Sequence, residues 1–183
     1  MESDRVTRNW KEDDMAYVFR REPLTAEEAD RLQAACRTAE ERLGIWALLD
    51  TGLRVHELAG LERDRVEWQQ RRVSLIGKGR KRRVVPLTDR VLRLLEHFYA
   101  LSDRLPFSVR GLQRMVKRVA GRAGIARLVT PHSLRHTYAV RCVQRGISTR
   151  ALQLLLGHSS LAVTEIYLNL SPEAVLAEWR AKW

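Results

Sequence analysis

Apolar residues recur at helical spacing over most of the chain after residue 24. The segment Thr25-Ala26-Glu27-Glu28 has the form of a capping box, in which the Thr and Glu side chains bind the free amides of a first helical turn. We therefore predict a helix from about Thr25, and a second, largely apolar helix from Glu41 to Asp50 that Gly52 can end. A short helix is predicted near Val55 to Gly60.

The pattern changes to strands between Arg65 and Leu87. Residues typical of strands are separated there by turn signals, and Pro86 ends the last apolar run. The glycines of Gly77-Lys78-Gly79-Arg80-Lys81 permit dihedral angles that other residues rarely adopt, so this segment is predicted to be the turn between the last two strands. We expect a small three-stranded antiparallel sheet.

Helical periodicity returns after the sheet and continues to the end of the chain. The predicted helices are 88–102, 109–123, 132–145, 148–156, 161–168 and a last one capped by Ser171-Pro172. The predicted fold class is mostly α with a small three-stranded antiparallel β-sheet. No internal repeat divides it, so we expect an arm or linker in residues 1–24, one domain in residues 25–170, and a C-terminal helix in residues 171–183.

The charge of the chain bears on its partner. Lys and Arg total 33 against 22 Asp and Glu, which gives a formal net charge of +11. Such an excess favours a polyanionic partner, with nucleic acid ahead of an anionic membrane surface. The membrane is disfavoured because no apolar run approaches the roughly 20 residues of a spanning helix, and no signal-peptide core opens the sequence. We expect a soluble protein of the cytoplasm.

The sequence does not predict a metal site. Cys36 and Cys142 lie outside any metal-binding spacing, so both are expected to be buried thiols. His132 and His136 form a His-x-x-x-His pair that could bind zinc on a helix, but no Glu follows His132 as the metalloprotease motif requires. We expect neither a metal nor a cofactor.

The segment Pro131 to Thr137 combines several polar residues at the start of a predicted helix. His132 and Arg135 stand three residues apart, so both can point to the same side. An arginine can bind two oxygens of one phosphate, and a free helix N-terminus adds a dipole that favours anions. These features suit a phosphate pocket, although an isolated His-x-x-Arg is more often an ordinary surface pair.

Further segments decide between these interpretations. They are a Thr-Gly-Leu turn followed by Arg54, the turn around Lys78, and a Leu-Gly-His stretch that ends at His158, with Tyr167 after it. Together with segment 131–137, and in this order, they resemble the tyrosine recombinases, also called the phage integrase family. The resemblance implies the catalytic-domain fold of that family.

The resemblance covers about residues 25–175. It implies six catalytic residues, none of them substituted, namely Arg54, Lys78, His132, Arg135, His158 and Tyr167. In the implied reaction Tyr167 attacks a DNA phosphodiester, holds the 3′ phosphate and releases a 5′ hydroxyl. Arg54 and Arg135 would stabilise the charge that gathers on the non-bridging oxygens.

The remaining roles follow from the same resemblance. His158 would donate a further hydrogen bond to these oxygens, and His132 would position the phosphate and accept the phenol proton. Lys78 would protonate the leaving 5′ oxygen, with a pKa lowered by the neighbouring arginines. The other tyrosines lack the context of the nucleophile and are expected to be packing residues: Tyr17, Tyr99 and Tyr138.

Charged residues beside this set are expected to assist it. Glu57 matches an acidic position of the family and would orient Arg54 through a salt bridge, with a plain surface pair as the alternative. Arg80, Lys81 and the pair Arg82-Arg83 are expected to contact DNA backbone phosphates or to form a solvated run.

The chain departs from the usual family pattern at both ends. Most members carry a helical DNA-clamping domain ahead of the catalytic domain, whereas only 24 residues precede Thr25 here. The sequence therefore fits a naturally short recombinase, a fragment or a relic. The last helix places apolar residues near one face, and we expect that face to dock on a neighbouring protomer or to pack within its own chain: Val175, Leu176, Trp179 and Trp183.

The expected function is that of a site-specific DNA recombinase or integrase, which breaks and rejoins double-stranded DNA through a 3′-phosphotyrosyl intermediate and self-assembles on DNA as a dimer or tetramer. A type IB topoisomerase-like enzyme, which reseals one strand, would use the same residues. A relic of the fold that binds DNA without cutting is a second alternative, and the intact set of six residues argues against it.

Overall fold

The computed structural model describes residues 22–76 and 82–157, and their fold is mostly helical with one small sheet. The helices and strands of these residues, in chain order, are α1 (Ala26–Ala34), α2 (Ala39–Thr51), α3 (Val55–Ala59), β1 (Val66–Glu67), β2 (Arg72–Ile76), β3 (Arg82–Pro86), α4 (Asp89–Tyr99), α5 (Val109–Arg122), α6 (Pro131–Gln144) and α7 (Thr149–Leu156). The predicted fold class is confirmed. The predicted helices 161–168 and 171–183 lie outside the described residues.

The first two helices begin at side chains that cap them. Thr25 and Glu28 exchange the two hydrogen bonds of a capping box, as predicted. Thr38 then caps α2 by accepting a hydrogen bond from the Glu41 amide at 3.1 Å. Because this cap precedes Glu41, α2 begins two residues before the predicted start. It ends, as predicted, at Gly52, whose φ of 62° lies in the left-handed region.

The sheet has the strand order β1-β2-β3, with both pairings antiparallel, which confirms the prediction. Val73 lies opposite Val85, and Leu75 lies opposite Arg83. Residues opposite each other share a face of the sheet, so these side chains point to the same side. Val73 and Val85 are fully buried, which identifies that side as the inner face.

Helix α2 lies at the centre of the core. It packs against α1, α3, α4, α5 and α6, and its buried residues surround the helix axis. A smaller apolar cluster joins α6 to α7 through residues such as Tyr138, Cys142 and Leu156. Both Cys36 and Cys142 are buried free thiols, as expected.

The ends of the later helices differ from the prediction by a few residues. Helix α4 stops at Tyr99 rather than at Ser102. The Tyr99 side chain is buried, and its hydroxyl donates to the Leu61 carbonyl at 2.7 Å. Helices α5, α6 and α7 are each followed within two residues by a glycine at positive φ.

The chain before α1 already packs on the body. The Leu24 amide donates to Thr137 Oγ1 at 2.8 Å, and the Arg127 guanidinium donates to the carbonyls of Glu22 and Pro23. Arg127 also forms a salt bridge with Glu28 of α1 at 2.6 Å. Residues 22–24, at the end of the predicted arm, are therefore fixed beside α6.

Candidate active site

Arg135 is a buried cation held by the ends of two helices. Only 4% of the residue is exposed. Its Nη1 donates to the carbonyl of Gly52 and its Nη2 to the carbonyl of Leu156 at 2.7 Å. These carbonyls lie at the C-terminal ends of α2 and α7, where the helix dipole is negative and stabilises a positive charge. Two main-chain carbonyls therefore fix the orientation of the guanidinium.

Helix α6 presents His132 on the same side as Arg135. Thr130 caps the helix through Ser133, and Pro131 occupies the first helical position, where its missing amide costs nothing. His132 is an exposed residue in the first turn of α6, three residues before Arg135. The predicted pair therefore occupies the start of α6, with the histidine at the surface and the arginine beneath it.

Arg54 lies at the N-terminus of α3 and is held by Glu57 one turn later. The Glu57 carboxylate accepts a hydrogen bond from the Arg54 amide at 2.7 Å and forms a salt bridge with Nη1 of Arg54 at 3.0 Å. The second guanidinium nitrogen, Nη2, donates to the Gly157 carbonyl at 3.2 Å. The predicted salt bridge is present, and it fixes both the backbone and the side chain of Arg54.

Arg83 of β3 also belongs to this cluster. Its Nη1 and Nη2 donate to the two oxygens of Glu57 at 2.8 and 2.7 Å, and only 9% of its side chain is exposed. The expectation of a DNA contact or a solvated run is therefore wrong for Arg83. Its neighbour Arg82 points outward, with 67% of its side chain exposed, and binds Glu67. Alternation along a strand was the signal that could have separated the two.

The Glu57 carboxylate keeps its charge although it is largely enclosed. Burial alone would raise its pKa, but the hydrogen bonds from Arg83 and from the Arg54 amide outweigh burial, so the pKa lies below its ordinary value. A charged Glu57 can therefore hold both arginines at neutral pH.

Arg54 and Arg135 converge on one short stretch of main chain. Arg54 binds the carbonyl of Gly157, and Arg135 binds that of Leu156, so two guanidinium groups lie around consecutive residues at the end of α7. The next residue along the chain is His158. Two guanidinium groups placed side by side in this way can bind the oxygens of a phosphate.

The other predicted site residues lie outside the described residues: Lys78, Arg80, Lys81, His158 and Tyr167. Of the six predicted catalytic residues, the structure therefore describes Arg54, His132 and Arg135. Among the described residues no cluster of His, Cys, Asp or Glu could hold a metal ion. No helix in this part of the chain is long and apolar enough to cross a membrane.

Two of the four tyrosines are unsuited to nucleophilic attack. Tyr99 and Tyr138 are buried, and burial raises the pKa of both phenols well above the ordinary value. A phenol that resists ionisation and does not reach the surface cannot readily attack DNA. The prediction that both are packing residues is confirmed.

Known proteins share this arrangement of elements. The solved structure of XerA recombinase has a TM-score of 0.75 with 30% sequence identity, covering 87% of this chain and 63% of XerA. XerH site-specific recombinase, solved bound to its difH substrate, has a TM-score of 0.71 with 23% identity, covering 85% of this chain and 53% of XerH. The second comparison shows likeness of fold alone.

The sequence comparisons agree with the structural ones. Tyrosine recombinase XerD of Shewanella oneidensis is 36% identical over 141 residues, which are 68% of this chain and 47% of XerD. Tyrosine recombinase XerC of Corynebacterium efficiens is 36% identical over 165 residues, 80% of this chain and 53% of XerC. The chain thus spans about half the length of these curated relatives. The sequence pattern of the Phage integrase family matches residues 22–174. This match covers most of the chain, which therefore belongs to the phage integrase family, the tyrosine recombinases.

Proposed function

We propose that this chain is the catalytic domain of a site-specific DNA recombinase or integrase, which breaks and rejoins double-stranded DNA through a 3′-phosphotyrosyl intermediate. The observation that carries the proposal is the convergence of Arg54 and Arg135 on the carbonyls of residues 157 and 156, directly before His158. This pocket suits one phosphate, and the family match continues past it through Tyr167.

In the proposed cleavage step the Tyr167 oxygen forms a bond to phosphorus as the bond to the 5′ oxygen breaks. His132 accepts the phenol proton, and Lys78 donates a proton to the leaving 5′ oxygen. Arg54, Arg135 and His158 donate hydrogen bonds to the non-bridging oxygens, where negative charge develops. Each donor fixed in this way stabilises a transition state by about 3 kcal/mol in comparable sites.

The rejoining step is the reverse reaction with a different DNA end. The 5′ hydroxyl of a second strand attacks the phosphotyrosine, the phenol leaves, and the two proton transfers run backwards. Because one phosphoester replaces another in each step, the bond to Tyr167 conserves the energy of the broken linkage. The proposed chemistry therefore requires neither a nucleotide nor another source of energy.

Double-stranded DNA is the proposed partner, bound in the cytoplasm. The net charge of +11 favours a polyanion, and XerH and the Tn1549 integrase were solved in complex with their own DNA. Arg80 and Lys81, on the predicted turn after β2, are proposed to contact backbone phosphates. Self-assembly on DNA as a dimer or tetramer is also proposed, with the helix of residues 171–183 docking on a neighbouring protomer.

A covalent trap tests this proposal. The chain is incubated with nicked duplexes taken from the DNA around its own gene, in which the released 5′ fragment diffuses away so that rejoining cannot occur. A protein–DNA adduct on a denaturing gel is expected for the parent chain and for Tyr138→Phe, which removes a buried hydroxyl. Tyr167→Phe should form none, because it lacks the attacking oxygen.

The same assay separates the rival functions. An adduct that persists in Tyr167→Phe would reject the proposed nucleophile. Salt-sensitive binding of these duplexes without an adduct on any of them would favour the DNA-binding relic. An adduct that forms on many sequences, together with relaxation of supercoiled plasmid that needs no second site, would favour the topoisomerase-like alternative.

A further inference from the structure

We infer that Arg83 is a positioning residue for the proposed reaction, because it holds Glu57 and, through Glu57, the guanidinium of Arg54 at the end of α7. This inference rests on the proposed function, since Arg54 is one of the residues proposed to bind the phosphate. Arg83 itself does not touch the reacting atoms in this scheme.

The sheet directs Arg83 inward. Arg83 lies opposite Leu75 in the β2–β3 pairing, and Val85, two residues further along β3, is fully buried. Residues two apart on a strand share a face, so Arg83 faces the interior with Val85. A cation there needs an anionic partner, and Glu57 of α3 provides one.

The Glu57 carboxylate is saturated by its two arginines. Arg83 donates to both oxygens, at 2.8 and 2.7 Å, while Arg54 donates its amide to one and its Nη1 to the other. Each oxygen therefore accepts two hydrogen bonds and the carboxylate has a single favourable orientation. Without Arg83, two acceptor positions would be empty, and the carboxylate could rotate together with the Arg54 side chain.

Arg83 also packs against the chain that leads to His158. A Cβ added to Gly157 would lie 2.8 Å from Cδ and from Nη1 of Arg83, so the arginine lies directly on the main chain of Gly157. The carbonyl of the same glycine accepts the hydrogen bond from Arg54. One side chain of β3 therefore contacts both the carboxylate that orients Arg54 and the residue before His158.

The position of Arg83 in the chain adds a further connection. Strand β3 begins at Arg82, directly after the segment 77–81, which contains Lys78 and is predicted to be a turn. Arg83 thus links the strand that follows the turn to α3 and to the end of α7. These three segments carry, or directly adjoin, the proposed residues Lys78, Arg54 and His158.

The contacts of Arg83 require an arginine rather than any cation. Its two terminal nitrogens bind the two carboxylate oxygens side by side, which a lysine ammonium cannot do. Its Nε is buried and has no hydrogen-bond partner among the described residues. The side chain is therefore placed for its terminal fork, and Arg83→Lys keeps the charge while it removes the fork.

The experiment compares four variants with the parent chain: Arg83→Lys, Arg83→Met, Glu57→Gln and the double variant of Glu57→Gln with Arg83→Met. A cluster of the same design serves as the control, because Glu41 is held by Arg118, Arg122 and the Arg37 amide near the start of α2. It lies about 15 Å along α2 from the Gly52 end. The control variant Arg122→Met therefore breaks a matched ion pair away from the pocket.

Three quantities are measured for each variant: single-turnover formation of the covalent adduct, affinity for the same duplex, and the thermal midpoint Tm. The ¹⁵N-labelled arginine signals are recorded as well, on the chain without DNA. A guanidinium held by several hydrogen bonds rotates slowly, so the Nη hydrogens of Arg54 should be resolved in the parent chain. This signal reports on positioning and not on global stability.

We expect Arg83→Lys and Arg83→Met to slow adduct formation roughly 10- to 100-fold, which is the usual effect of losing a group that orients a reacting residue. DNA affinity should change little. The separate Arg54 signals should merge, because the guanidinium is then free to rotate. In the Glu57→Gln background, Arg83→Met should slow the reaction little further, because Arg83 acts through Glu57. Arg122→Met should lower Tm while it leaves adduct formation and the Arg54 signals intact.

Several outcomes overturn the inference. One is an unchanged rate of adduct formation in Arg83→Lys. Another is a double variant whose rate falls by the product of the two single effects. A third is a set of Arg54 signals that stays resolved without Arg83. If Arg83→Met folds poorly, Arg83→Lys still tests the inference, because it keeps a positive charge beside Glu57. If the parent chain forms no adduct, the proposed function has failed, and the arginine signals alone still decide whether Arg83 positions Arg54.

Discussion

At the scale of single residues, Gly52 shapes the pocket although it has no side chain. Its φ of 62° ends α2 and directs its carbonyl at Nη1 of Arg135. A Cβ at this position would overlap the ring of Tyr138 and lie 3.0 Å from Cδ2 of Leu156. Both the backbone conformation and the close packing therefore require glycine.

We predict that Gly52→Ala lowers the free energy of unfolding by about 2–4 kcal/mol, because it adds left-handed strain to an overlap with Tyr138. Denaturant titration measures the change. Gly121→Ala is the control, since Gly121 lies in α5 with nothing within 4 Å of an added Cβ and should gain up to about 1 kcal/mol in helix propensity. Equal effects of the two substitutions would show that Gly52 has no special role.

Arg82 and Arg83 show what sequence alone could and could not provide at this scale. Both belong to one basic run, and net charge treats them alike. Strand alternation places them on opposite faces, but valine at both 84 and 85 means that the sequence does not show which face is inward. The partner of Arg83 could not be predicted either, because Glu57 lies 26 residues away and meets Arg83 only in the folded chain.

At the scale of elements, α6 is buried on almost every side of its first two turns. Its buried residues there include polar ones, of which Thr137 joins the helix to the chain before α1. Thr137 Oγ1 accepts the Leu24 amide at 2.8 Å and donates to the Ser133 carbonyl, also at 2.8 Å. The hydroxyl therefore accepts a hydrogen bond from a backbone amide that lies outside any helix or strand.

We predict that Thr137→Val destabilises the fold by about 1–2 kcal/mol and increases hydrogen exchange at the Leu24 amide, because it leaves that buried amide without an acceptor. Hydrogen exchange and denaturant titration measure the two effects. Thr137→Ser keeps the hydroxyl and should retain most of the protection. Slow exchange at Leu24 in Thr137→Val would contradict the assigned contact.

Most helices and strands could be predicted from local signals, because their ends are set by nearby residues. The capping box at Thr25 and the glycine after α2 are examples. Helix α2 starts earlier than predicted, because its cap, Thr38, precedes the apolar stretch. The contact between Tyr99 and Leu61 joins residues that lie 38 positions apart, which periodicity cannot show.

At the scale of the whole molecule, acidic side chains join separate helices by holding arginines. Glu41 of α2 binds Arg118 and Arg122 of α5, and only 4% of Glu41 is exposed. Burial tends to raise its pKa, but hydrogen bonds from Arg122, the Arg37 amide and Arg118 outweigh burial and lower the pKa from 4.5 to about 2.

This lowered pKa predicts how stability depends on pH. Glu41 ionises more readily in the folded chain than in the unfolded one, so its contribution is complete above about pH 4.5 and is lost as the pH falls towards 2. Glu41→Gln should lower the free energy of unfolding by about 2 kcal/mol at pH 7. The free energy of unfolding should then fall less steeply as the pH is lowered. Urea titrations between pH 7 and pH 3 test this, with the exposed neighbour Glu40→Gln as control. An acid limb unchanged in Glu41→Gln would refute it.

The candidate site could be predicted from sequence only as a set of residues in order. The resemblance to the tyrosine recombinases identified Arg54 and Arg135, which lie 81 positions apart in the chain. The structure adds the carbonyls of Gly52 and Leu156 that bind Arg135. No sequence pattern identifies such partners, because any residue carries a carbonyl and only the fold decides which ones face the pocket.

The shared carboxylate of Glu57 also sets the charge of the pocket. Arg54 and Arg83 share the single negative charge of Glu57, so these three residues together carry one net positive charge. A phosphodiester in DNA carries one negative charge, whereas the pentavalent species formed by attack of a phenolate carries two. In the proposed reaction this positive charge therefore stabilises the transition state more than intact DNA, and Arg54 should contribute more to the rate of cleavage than to the affinity for uncut DNA.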